Sequence, residues 1–159
     1  MENEMNAYRA KKKPINPAIL LRSADGYNRA GTILLEDTKD GIFFLKSSFS
    51  PCVVNFAFAC ELYLKYLLII KNIYYGKSHG LNYLYELLDN DIKNKIKSEY
   101  QKYNSILNFE TCINNHTKTF EEFRYMHEYT GIGVEPFSLR NLTKSLKTIS
   151  HEFEKIVNN

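Results

Sequence analysis

Between Val53 and Ile70 the chain runs through eighteen positions interrupted only by Asn55, Glu61 and Lys65. A run of that length exceeds an ordinary strand, and its apolar residues cover every side of a helix rather than one stripe. It predicts a helix buried on all sides, around which the rest must pack. The three polar interruptions argue for a buried core helix over a membrane span. The wider composition agrees: 44% hydrophobic and 25% charged residues exclude disordered and low-complexity classes. Seven Gly, four Pro and no Trp leave little of the turn punctuation an all-β fold needs.

Helical spacing recurs on both sides of that run. Asn16-Pro17 reads as an N-cap followed by Pro at the first helical position. Leu20, Ala24, Tyr27, Gly31 and Leu34 follow at helical intervals. Ser50-Pro51 repeats the signature and predicts a second helix from about Ser50 to Tyr74, ended by Tyr75-Gly76-Lys77. The segment between, Thr38 to Phe49, reads as a connection anchored by Ile42-Phe43-Phe44-Leu45. A short helix carrying Leu81, Leu84 and Leu88 comes next, then a polar helix to about Tyr103 and a loop over 104–110. A further helix is predicted over Thr111–Tyr129, stopped by Gly131-Ile132-Gly133. The last starts near Ser138, with Leu139, Leu142, Leu146, Ile149, Phe153 and Ile156 in a narrow stripe suited to either the core or a dimer seam. No strand-like alternation competes. The expectation is an all-α antiparallel bundle of four to five helices, a single domain over 16–159 behind a flexible basic arm at 1–15.

Charge narrows the function classes. The net +3 sits within residues 1–22, while residues 23–159 hold sixteen basic and sixteen acidic side chains. Affinity for several phosphates needs concentrated positive surface, so any basic face must arise from uneven distribution. Lys93, Lys95, Lys97 and Lys102 are the candidates, with a solvated helix face as the plainer alternative. Cys52, Cys60 and Cys112 form no CxxC pair and read as reduced thiols. The histidines His79, His116, His127 and His151 show no metal spacing, so neither a metal nor a cofactor is expected. Residues 1–22 are too polar for a signal peptide, which makes the cytoplasm the expected location.

Three places put polar residues where apolar ones belong. Glu61 lies amid Ala57, Phe58, Ala59, Leu62 and Leu64, and burial requires it to be paired; Lys65, one turn on, is a ready partner. The alternative has both lining an exposed edge. At 100° per residue Phe120, Phe123, Arg124, His127 and Glu128 share one arc, so an Arg, a His and a Glu border core aromatics. That arrangement suits phosphate binding with acid–base chemistry, or equally a surface salt bridge beside a histidine. His79 sits where a helix begins, and either caps it or points into the bundle.

Taken together these places resemble the HEPN superfamily of prokaryotic helical domains, found in defence and toxin–antitoxin systems. The resembling residues are Ala59-Cys60-Glu61-Leu62-Tyr63-Leu64-Lys65, then Ser78-His79-Gly80-Leu81 through Leu88, then Phe120-Glu121-Glu122-Phe123-Arg124-Tyr125-Met126-His127-Glu128. The resemblance spans about residues 17–157, with Ala24 to Leu35 similar to the family's first helix. It implies a bundle, often homodimeric, whose polar residues Glu61, Lys65, His79, Arg124, Tyr125 and Glu128 meet in a groove. On that footing Glu61 is expected to accept hydrogen bonds from Arg124, His79 or Tyr125. Catalytic members are metal-independent ribonucleases with four to six residues between Arg and His, where Arg124 and His127 have two. The other branch binds nucleotide or RNA, or partners a nucleotidyltransferase or antitoxin. The binding module is therefore the expected function, with a ribonuclease using Arg124 and His127 as the alternative and a structural helical dimer as the third reading.

Overall fold

A computed structural model describes residues 14–37, 47–125 and 135–157, and among them every regular element is a helix. In chain order these are α1 (Pro17–Glu36), α2 (Phe49–Ile70), α3 (Leu81–Glu86), α4 (Asn90–Gln101), α5 (Phe109–Asn115), α6 (Thr119–Arg124) and α7 (Pro136–Val157). The N-terminal arm over 1–13, the anchor Ile42–Leu45 and the Gly131–Gly133 stop lie outside the described residues.

As its composition requires, α2 is the centre. It is long and apolar enough to cross a membrane, yet Phe56, Cys60, Tyr63, Leu64, Leu67 and Leu68 are fully enclosed by the other helices. Burying each large side chain contributes roughly 1.5–3 kcal/mol. α1 packs along α2 antiparallel: Gly31 lies against Phe56, and six residues earlier Asp25 meets Tyr63. Gly31 is there for space, because a Cβ would come within 2.9 Å of the enclosed Phe56 ring. The buried stripe of α1 is Leu21, Ala24, Asn28, Gly31 and Leu35, one position off the predicted Leu20 and Leu34. Tyr27 stays at the edge.

α7 runs parallel to α2, pinned where the Cys60 thiol and the Thr143 hydroxyl lie 3.1 Å apart. The apolar stripe of α7 is used inside this one chain: Leu139, Leu142, Leu146 and Ile149 are buried in the core and only Ile156 is well exposed. The stripe is thus a core face rather than a seam between two chains. α4 lies antiparallel on the far side of α7, with Lys95 paired to Glu152 and Asn141 Nδ2 donating to Ser105 Oγ at 2.9 Å.

Helix ends explain where the sequence reading shifts. Asn16 caps α1 as predicted, its side chain accepting from the amides of Ala18 and Ile19, with Pro17 first in the helix. Ser50 is not a cap. α2 begins at Phe49, and the Ser50 hydroxyl instead donates to the Phe123 carbonyl at 3.0 Å, tying α2 to α6. α2 stops at Ile70, short of the predicted Tyr74. Asn72 takes a left-handed φ of 55°, while the amides of Asn72 and Ile73 donate to the carbonyls of Ile69 and Leu68. That is a Schellman stop, with Asn in the place more often held by Gly.

The single helix predicted over 111–129 is two short ones, α5 and α6. Thr117 lies between them, its carbonyl accepting from Leu81 N at 3.3 Å and its hydroxyl from Asn82 N at 3.0 Å. These groups serve the start of α3 and leave the helical ladder.

Candidate functional site

One face of α2 carries Phe58, Glu61 and Lys65 at i, i+3 and i+7, so all three point the same way. Glu61 is buried, at 1% exposure. Its Oε1 accepts from Lys65 Nζ at 2.6 Å and faces His79 Nδ1 at 2.8 Å. The exposed-edge alternative for Glu61 is thereby removed. Oε2 of the same carboxylate is buried and has no hydrogen-bond partner among the described residues. The Lys65 ammonium also lies 5.3 Å from the centre of the Tyr75 ring, which walls the group from the loop side.

The stop at Asn72 lets the chain double back so that residue 79 returns to residue 61. A second left-handed residue, Gly76 with φ 63°, bends the same loop. His79 does not cap α3. The N-cap is Gly80, and the first amides of α3 go to Thr117. The imidazole is left to Glu61 alone, with its side chain 53% exposed. Its Nε2 has no protein partner among the described residues.

Of the three partners expected for Glu61, His79 reaches it and Arg124 and Tyr125 do not. Neither makes a hydrogen bond or ion pair with Glu61; Lys65 and His79 are its partners. Arg124 is the last residue of α6, and its guanidinium sits 5.0 Å over the Phe120 ring and 4.6 Å over the Tyr125 ring. A guanidinium is planar and weakly hydrated, so it stacks on rings readily. Phe120 in turn stacks on Phe58 at 4.7 Å, and Phe58 meets Tyr27 edge-on at 4.5 Å. The result is an aromatic strip from α1 across α2 to α6, topped by an exposed guanidinium and an exposed Tyr125. Midway along the strip, Phe58 stands one helical turn before Glu61 on α2. His127 and Glu128 lie outside the described residues.

The lysines of α4 and Lys102 at its C-cap each face a carboxylate rather than forming an unpaired basic face. Lys93 pairs with Glu86, Lys95 with Glu152, Lys97 with Glu110 and Lys102 with Glu99. The cysteines are buried and unbonded to one another. Burial pushes the thiols of Cys52 and Cys112 up to about 12 and raises Cys60 as well, so they are unreactive in the folded chain. No group of three or more metal-ligating side chains occurs among the described residues.

A second polar cluster went unread in the sequence. Asp25 of α1 accepts from the Tyr63 hydroxyl at 2.6 Å and from His151 Nε2, 3.0 Å from both carboxylate oxygens. The other nitrogen of His151, Nδ1, lies 2.8 Å from Glu154. Lys147 stands 3.9 Å from Asp25. Burial alone would lower the pKa of His151, but the hydrogen bonds to Asp25 and Glu154 and their charges outweigh it and raise it. Burial and then Asp25 push the Tyr63 phenol well above its ordinary range. The sequence hints were a His151-x-x-Glu154 spacing on α7 and Asp25 beside the buried stripe of α1.

Fold and site together define a class: an all-helical domain whose central apolar helix carries a buried, charge-compensated carboxylate beside an aromatic face. The family model described as the HEPN domain matches residues 42–157, and the chain belongs to that family. The three resembling segments all fall within the matched range. No curated protein and no solved structure matches the chain.

Proposed function

We propose that this HEPN domain is a cytoplasmic RNA- or nucleotide-binding module without strong catalysis of its own, and that its ligand lies across the strip ending at Arg124. The observation that carries the reading is the Arg124 guanidinium, exposed, seated on the rings of Phe120 and Tyr125, and paired with no carboxylate among the described residues. Such a group offers a fork of donors to a phosphate, and the exposed ring beside it offers a stacking surface to a base. The charge-neutral body and the paired α4 lysines fit contact with one or two nucleotides better than with a long duplex.

The test is fluorescence anisotropy of a labelled single-stranded RNA against the whole chain, across a salt series. Base–aromatic stacking is worth about 1–3 kcal/mol, so Tyr125→Ala should weaken binding about tenfold and Arg124→Ala at least as much. The same RNA incubated in EDTA tests the other branch. Robust cleavage, lost in both Arg124→Ala and His127→Ala, would establish the metal-independent ribonuclease instead. A role as partner to a nucleotidyltransferase or antitoxin, and pairing as a homodimer, rest on family membership. Co-purification with the products of neighbouring reading frames and light scattering test them.

A further inference from the structure

Among the described histidines only one presents a ring nitrogen to solvent. His116 is enclosed, its Nδ1 donating to the Cys112 carbonyl at 2.7 Å. His151 has carboxylates on both nitrogens. His79 gives Nδ1 to Glu61 and leaves Nε2 outside. The Lys65 ammonium lies on the same Glu61 oxygen and already compensates the carboxylate charge, so a neutral imidazole donating Nδ1–H satisfies the contact. The other nitrogen then carries a lone pair and no proton. A group of that kind cannot donate to a phosphate; it accepts from a hydroxyl.

We infer that His79, held in its Nδ1–H form by Glu61, accepts a hydrogen bond from a ribose 2′-hydroxyl and makes the domain prefer RNA to DNA. The inference rests on the proposed reading of the Arg124 strip as a nucleic-acid face, since Phe58, which continues that strip, stands one turn before Glu61 on the same side of α2. The 2′-hydroxyl is the group by which a protein separates the two polymers at a given position. Glu61 acts here as a positioning residue: it touches no ligand and determines which nitrogen of His79 is bare.

The experiment compares an oligouridylate, its deoxyuridine counterpart and its 2′-O-methyl form on the wild-type chain and on His79→Ala. One neutral hydrogen bond corresponds to roughly fivefold in affinity. The wild type should therefore bind the ribo-oligomer about fivefold tighter than the other two, which lack the 2′ donor. His79→Ala should bind all three alike, with its affinity for the deoxy form unchanged. Equal binding of all three by the wild type, or a ribose preference that survives in His79→Ala, would overturn the inference while leaving the Arg124 reading intact. Failure of every oligomer to bind would overturn the Arg124 reading and this inference with it. A second readout needs no ligand: nitrogen-15 NMR should show the His79 proton on Nδ1. A proton on Nε2, alone or on both nitrogens at neutral pH, would sink the assignment.

Discussion

Two histidines of this domain each meet a buried or half-buried carboxylate, and they do opposite things. His151 joins α7 to α1, with Asp25 on one ring nitrogen and Glu154 on the other. His79 meets Glu61 on a single nitrogen, and Lys65 supplies the charge that the carboxylate needs. Both nitrogens of His151 are donors only when the ring is protonated, so its contact is a clamp between helices that depends on a proton. His79 uses one nitrogen, and on the inference drawn above its contact needs no added proton and its second nitrogen serves a ligand. The two differ in how many ring nitrogens the fold has used: both in His151, one in His79.

The comparison is tested most severely at Lys65. If Lys65 is what neutralises Glu61, Lys65→Met should cost about 3 kcal/mol, because it leaves a buried carboxylate short of its partner. A shift in urea midpoint at unchanged m-value would measure it. A cost near zero would mean that His79 carries the positive charge, and the contrast with His151 would collapse. His151→Ala comes next, at about 1 kcal/mol, since the group is one-third exposed and solvent screens its partners.

The pH dependence gives that second effect its signature. The folded pKa of His151 is raised, so its stabilisation is fully present below the ordinary imidazole value of about 6.5 and is lost as pH rises through the folded value. Denaturation of wild type and His151→Ala should therefore differ most near pH 6 and converge in the alkaline range. His116 runs the other way. Burial lowers its pKa, so stability falls as pH drops from about 6.5 through the folded value, and His151→Ala should keep this acid limb. The smallest effect belongs to Arg124→Ala, expected to change stability by no more than about 0.5 kcal/mol while weakening RNA. A cost of several kcal/mol would place Arg124 back beside the Glu61 carboxylate.

The helical fold was readable because the apolar run Val53–Ile70, interrupted by three polar residues, calls for a central helix covered by others. The Glu61–Lys65 pair was readable for the same reason, as a charge stranded in that run with its counter-charge one turn on. What escaped the sequence depended on distant partners. Asn72 ends α2 in the place where Gly is more usual, and Asn is also common inside polar segments, so it does not stand out. The break at Thr117 has no Pro or Gly to mark it; its cause is α3, which lies 35 residues away in sequence. The expectation of Arg124 beside Glu61 came from the family resemblance, whereas α6 ends at Arg124 and its guanidinium lies over Phe120 and Tyr125. The Asp25–His151 clamp joins residues 126 apart, a separation at which periodicity says nothing.

The commitment of Thr117 to the start of α3 also orders events in time. A helix of six residues cannot nucleate alone, because fixing its first turn costs more than its few hydrogen bonds return. α3 must wait until the α5–α6 corner has arrived to receive the amides of Leu81 and Asn82. Amide exchange at these two positions should be protected late in refolding, after the amides of α2, and should open first under mild denaturant. His79 immediately precedes that late segment. Exchange in the loop carrying the His79 imidazole should follow the same order, slower to gain protection than α2 and quicker to lose it.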